Sequence, residues 1–324
     1  MELSDAALAA DVADGLARVE DGMREAARAQ HELLADTSRY LIEAGGKRFR
    51  AILVLLAAQF GDPGDPRIVP AAVAIELTHL ATLYHDDVMD EAAVRRGEPS
   101  ANARWDNTIS ILTGDFLFAR ASVILADLGA DAIRIQAATF ARLVNGQIAE
   151  TVGPRPGEDP LEHYLNVVTQ KTASLIATAG QFGALFAGAP GEVTDRIRPA
   201  CEALGVAFQL SDDILDVASE SGQSGKTPGT DLREGVLTLP MLHALRSAGR
   251  GDARLTELLG GELTDPARHA EALALLRAHP GMKTARADLE SWAQLARKEI
   301  LALPDLPARA AFEGLCDFVV ERTG

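Results

Sequence analysis

The chain has 324 residues, 47% of them hydrophobic, and a formal net charge of -16. That much apolar material can build a sizeable core, while so acidic a molecule repels nucleic acid and anionic membrane surfaces through its overall field. Cys201 and Cys316 are the only two cysteines, too few for a disulfide framework or a cysteine zinc site, which fits a reducing cytoplasm.

The opening MELSDAALAADVADG spaces acidic residues through alanines and lacks the basic start and apolar core of a secretory signal. Apolar residues recur at helical spacing almost everywhere, and no alternating run is long enough for a strand, so the expected fold class is all-α. A first amphipathic helix is expected from about Asp5 to Ala44, stopped by Gly45-Gly46. A second begins near Lys47 and carries AILVLLAA into the core, and a third follows the turn GDPGDP, from about Arg67 to Glu91. Further helices are expected over about 108–128, 131–150, 160–189 and 191–218, then several shorter ones after Glu234. Thr172 to Gly191 contains no charged residue, but its Ala, Gly, Ser, Thr and Gln content reads as a buried bundle helix, so no transmembrane segment is expected. Polar, Gly-containing connections lie at Ala92–Asn107, Val152–Asp159 and Ser219–Glu234. With no linker and no repeat, residues 1–324 read as one domain.

Two of these helices end in the same acidic pattern, DDxxD: Asp86, Asp87 and Asp90, then Asp212, Asp213 and Asp216. Positions i and i+4 share a helix face, so Asp86 lies with Asp90 and Asp212 with Asp216. Like charges so placed destabilise a helix unless a cation sits between them. Carboxylate oxygens suit Mg2+, which keeps room for phosphate and water. A single acidic run is commonly a solvated face. Two copies, each following an apolar run that brings it out of the core, point to function.

Cations stand where such a site needs them. Lys47, Arg48 and Arg50 occupy a first helical turn, where free N–H groups and the dipole already favour an anion. Arg95 and Arg96 follow the first acidic motif, and although two arginines can simply pair with Glu91 or Glu98, the arginine fork also suits phosphate. Lys171 and Thr172 open the uncharged helix, and Lys226 lies in a Gly-rich loop whose glycine spacing is not that of a P-loop, which removes a nucleotide hydrolase. His79 falls two turns before Asp86 on the same face.

Taken in order, GGKRFR, HLATLYHDDVMDEAAVRRGEPS, GDFLFARA, KTASLI, FQLSDDILD and GKTPGTDLREGVLTLPML closely resemble the trans-isoprenyl diphosphate synthase (polyprenyl synthetase) family. The resemblance spans most of the chain and thins after about Gly249. It implies a single-domain helical bundle around a central cavity, the two acidic motifs facing each other across its mouth, and a homodimer. It also implies an isopentenyl diphosphate site at Lys47, Arg50, His79 and Arg96, and allylic diphosphate ligands at Arg95, Lys171, Thr172, Gln209 and Lys226. Asp86, Asp90 and Asp212 would hold two or three Mg2+ ions, with Asp87, Asp213, Asp216, Lys171 and Lys226 completing the catalytic set. Ala51 departs from the proline the family often has there.

Short-chain members commonly place a bulky aromatic four or five residues before the first motif, where this chain has Ala81 and Thr82. With Thr78 these form a strip of small residues, so the expected product is medium to long, about six to ten isoprene units, its length set by steric exclusion. The alternatives are a short-chain synthase, a non-catalytic partner subunit, an acidic metal-binding bundle, or a class I terpene cyclase, whose second metal motif is usually of a different type.

Overall fold

In a computed structural model the structure describes residues 4–219 and 228–323. In chain order these form α1 (Ala6–Ala26), α2 (Glu32–Glu43), α3 (Phe49–Ala58), α4 (Ile68–Met89), a two-residue hairpin of β1 (Val94–Arg95) and β2 (Glu98–Pro99), α5 (Ala101–Arg104), α6 (Asn107–Leu128) and α7 (Ala130–Val152). Then come α8 (Pro160–Val168), a π-helical turn (Thr169–Ala173), α9 (Ser174–Phe186), α10 (Gly191–Ala218), α11 (Thr230–Glu234) and α12 (Leu239–Ser247). A short 3-10 turn (Arg250–Asp252) leads to α13 (Ala253–Leu259), α14 (Pro266–Ala278), α15 (Gly281–Ile300) and α16 (Pro307–Glu321). The all-α expectation holds.

The described residues fall into two compact units: one drawn from Met1–Ala141, Leu175–Cys201 and Ala302–Phe312, the other from Arg142–Ser174, Glu202–Leu301 and Glu313–Gly324. In the first, α4 is the central element, packed by α1, α3 and α6. Every residue from Ala71 to Thr78 is buried, so its sequence is apolar all round and Glu76 is the one charge in that run. Its acidic end emerges from this dry interior.

The helix expected from Asp5 to Ala44 is instead two. Asp5 caps α1 through the Leu8 N–H at 2.8 Å, and the chain turns after Ala26 with no glycine or proline to announce it. Packing imposes the break: α1 lies on α3 and α4, whereas α2 lies on α6. Tyr84 ties α4 to α2, its buried hydroxyl donating to the Thr37 carbonyl and accepting from the Leu41 N–H at 3.3 Å.

In the second unit α12 packs against α8, α14 and α15. The helix expected over 160–189 is interrupted by the π-helical turn, and α15 has 20 residues, longer than the short helices expected after Glu234. The uncharged stretch is buried from Ala173 to Gly180, as its composition requires.

Two helices, α4 and α6, are apolar and long enough to cross a membrane. α4 is mostly buried, as a core helix is. α6 turns Ser110, Thr113, Gly114 and Leu117 inward and leaves Ile111, Leu112 and Val123 exposed.

Replacing Tyr84 with Phe leaves a buried carbonyl without its donor. We expect a loss of about 1–3 kcal/mol, read as a lowered urea midpoint with an unchanged m-value.

Candidate functional site

The first acidic motif occupies the last turn of α4, with Asp90 as its C-cap. Carboxylates at a helix C-terminus oppose the dipole and gain nothing from it, so their placement calls for cations. Asp86 is half-buried and Asp90 exposed, and the Asp90 N–H donates to the Asp86 carbonyl at 2.8 Å. Asp87 points the other way: it is fully buried, accepts from Arg95 Nε at 2.6 Å, and keeps its second oxygen buried without a partner. Burial, only partly offset by Arg95, raises its carboxyl above the usual range.

A cationic cluster belongs to the same unit. Lys47 is exposed, Arg50 half-buried and Arg48 buried. Arg96 donates through Nη1 to the Leu41 carbonyl at 2.7 Å and to the Gly45 carbonyl. At Gly46, φ 149°, a Cβ would stand 3.1–3.4 Å from the Arg96 and Arg48 guanidiniums, which would have to give way to it. Burial first, then Arg50, Arg96, Arg48 and Arg95, hold His79 well below its ordinary value, so its imidazole is neutral. Burial also lowers Arg50 and Arg96. Glu76, buried in the middle of α4, partly compensates both. Its Oε1 accepts the Ala51 N–H at 3.0 Å. A proline at 51 could not make that bond.

Of the small residues expected to set chain length on α4, Thr78 and Ala81 are fully buried and Thr82 is half-buried. Thr78 Oγ1 accepts from Gln136 Nε2 at 2.7 Å, while Gln136 Oε1 is buried without a partner.

The other unit holds the second motif. Asp212 pairs with Arg322 at 2.9 Å, and Arg322 also donates to Ser211 Oγ at 2.5 Å and the Phe208 carbonyl at 2.8 Å while lying over the Phe208 ring. Asp213 turns inward as Asp87 does. It accepts from Tyr164 Oη and, at 2.8 Å, from Gln209 Nε2, whose Oε1 takes the Thr172 hydroxyl at 3.3 Å. Asp216 caps α11, accepting the N–H groups of Thr230 and Asp231 at 3.1 Å each. Lys171 and Thr172 lie in the π-helical turn, whose extra residue shifts their direction relative to a regular helix. Gly146 on α7 admits the close backbone approach of Lys171, whose amine pairs with Glu150. Lys226 lies outside the described residues.

Glu20, Glu76, Gln136, Tyr164 and Arg322 are the participants that sequence reasoning missed. None lies in a motif. A lone Glu inside the apolar run VAIELTHL was the one available signal.

Among the described residues no three His, Cys, Asp or Glu side chains converge to hold an ion by themselves. Asp86 and Asp90 offer only oxygens, one helical turn apart. Such donors fit a hard cation that takes one or two carboxylates and completes its shell with phosphate and water.

Residues 31–276 match the polyprenyl synthetase family model. The chain is 52% identical over 325 residues to the nonaprenyl diphosphate synthase of Mycobacterium tuberculosis, covering 100% of this chain and 97% of that protein. It is similar to the geranylgeranyl pyrophosphate synthase of Corynebacterium glutamicum solved with calcium and isoprenyl diphosphate, with a TM-score of 0.90, 44% identity and full coverage of both chains. It is also similar to the decaprenyl diphosphate synthase of Rhodobacter capsulatus, with a TM-score of 0.89, 35% identity and 98% coverage of each.

Burial is the main cause that pushes Asp213 up to about 7 from an ordinary 3.8. The folded chain therefore keeps this proton over a range in which the unfolded chain has released it. The residue's contribution to stability is greatest at low pH and falls as pH rises from about 4 to about 7. In metal-free protein Asp213→Asn should flatten that part of the unfolding free energy against pH, measured by urea titration at each pH. An unaltered slope would contradict the assignment.

Proposed function

The chain belongs to the polyprenyl synthetase family, and from that premise we propose that this prenyltransferase adds isopentenyl diphosphate head to tail onto an allylic diphosphate. Diphosphate is released and an all-trans polyprenyl diphosphate of about six to ten isoprene units accumulates, its length limited by steric exclusion. The observation that carries this reading is the likeness to a nonaprenyl diphosphate synthase at 52% identity over 100% of this chain. The likeness to a geranylgeranyl pyrophosphate synthase favours a shorter product as the second reading.

Cleaving the allylic carbon–oxygen bond separates a carbocation from a highly charged leaving group, so fixed positive charge must meet the departing oxygens. In this reading Arg95, Lys171, Thr172, Gln209 and Lys226 bind the allylic diphosphate, and Lys47, Arg50, Arg96 and His79 bind isopentenyl diphosphate. Neutral His79 serves as a hydrogen-bonding partner within that cationic surround. Asp86, Asp90 and Asp212 would hold Mg2+, which when bound would neutralise the leaving diphosphate. Asp87, Asp213 and Asp216 support that set: the first two are anchored inward, the third caps α11. No side chain is assigned as a nucleophile. The diphosphate itself takes the proton lost after coupling.

We assign the growing hydrocarbon to a path along α4, past the small residues Thr78, Ala81 and Thr82. The exposed Ile111, Leu112 and Val123 of α6 support a homodimer in which a second copy covers this face. The family match runs through residues of both compact units, which supports a single functional domain. We place the enzyme in the cytoplasm, a reducing compartment that suits two buried free cysteines.

Purified protein incubated with Mg2+, farnesyl diphosphate and labelled isopentenyl diphosphate should yield extractable polyprenyl diphosphates, and their chromatography reads the chain length directly. Asp86→Ala and Asp212→Ala should each lower turnover by roughly two to four orders of magnitude with unchanged circular dichroism; near-normal rates in either would reject the metal assignment. Ala81→Phe should shift the product distribution to shorter chains, and an unaltered distribution would reject the assigned path along α4.

A further inference from the structure

Arg48 is the N-cap of α3 and adopts a left-handed backbone, φ 46° and ψ 37°. A Cβ makes that conformation costly, and such outliers persist only where surroundings over-determine them. Among the described residues the non-glycine residues with positive φ are Arg48, Glu91 and Arg96, all in segments flanking the first acidic motif or the cationic cluster. The Arg48 side chain does not reach outward as Lys47 does. Nε donates to Glu20 Oε1 at 2.5 Å and Nη2 to the Ile42 carbonyl at 2.9 Å, which pins the end of α2 and the middle of α1 to the start of α3. Arg96 holds the neighbouring Gly45 carbonyl, and Glu76 supplies the cap that the Arg48 side chain leaves unmade.

We propose that Arg48 is a positioning residue: locked by Glu20, it holds the left-handed turn that presents Lys47 and Arg50 to the phosphates of isopentenyl diphosphate. The inference rests on the function proposed above and adds two residues to it, neither touching substrate. Arg48 Nη1 is buried without a partner, so the rival role, direct donation to phosphate, is the outcome the test must separate.

Calorimetric titration with isopentenyl diphosphate and steady-state kinetics for each substrate read the same variants. Glu20→Ala and Arg48→Ala should weaken isopentenyl diphosphate binding and raise its KM about tenfold or more, while kcat and the allylic KM stay within about threefold. Arg48→Gly should recover most of that loss, because glycine takes the left-handed turn freely. The double variant Glu20→Ala/Arg48→Gly should keep the recovery, since no carboxylate is then left unpaired. If Arg48→Ala does not fold by circular dichroism, the Glu20→Gln, Arg48→Gly and double variants carry the comparison. The proposal is overturned if Arg48→Lys is near wild type while Arg48→Gly is as impaired as Arg48→Ala, or if both Glu20 variants match wild type. A wild-type chain that does not bind isopentenyl diphosphate at all would instead remove the underlying function.

Discussion

Charge that leaves water must be matched inside the protein, and the first compact unit is organised around that requirement. Arg48, Arg50, Arg95 and Arg96 cluster near His79, and isolated guanidiniums so placed would repel one another and lose hydration. Three carboxylates, one on α1 and two on α4, answer them: Glu20 holds Arg48, Asp87 holds Arg95, and Glu76 partly offsets Arg50 and Arg96. The balance is incomplete. A buried oxygen on Asp87 and buried nitrogens on Arg48 and Arg50 lack partners, and unsatisfied groups of this kind concentrate where a charged ligand completes the set.

The second acidic motif answers the same requirement with hydrogen bonds. Its middle aspartate carries no paired cation among the causes that shift it, and Tyr164 and Gln209 take that place. The two motifs thus share one feature: the middle aspartate of each is buried and spent on local anchoring, Asp87 to Arg95 and Asp213 to Tyr164 and Gln209. Its neighbours in the motif point elsewhere, because residues one apart on a helix point about 100° apart.

The all-helical class and most helix positions were legible because apolar residues recur at 3.6-residue spacing, a local property. The carboxylates of both motifs and the cations beside them were legible for the same reason, each set being contiguous in sequence. What escaped reading was set by distant partners. Nothing around Ala27 marks the turn between α1 and α2, which packing on different helices imposes. The π-helical turn at Thr169–Ala173 inserts one residue into an otherwise regular pattern, and Gly146, from another helix, makes room for it. Glu20 and Arg322 are separated by 28 and 110 residues from Arg48 and Asp212, the groups they hold, and read locally as ordinary surface charges.

Ala51 departs from the proline common in the family, and its N–H is bound to Glu76 in the core of α4. A relative with proline at this place must content that acid differently, through water, a side chain or a shifted helix. Positions 51 and 76 therefore form an inheritable pair. A chimera that grafts the α3 segment of a proline-bearing relative onto this α4 would take one hydrogen bond from a buried acid, so helices exchanged among these enzymes have to travel with both residues together.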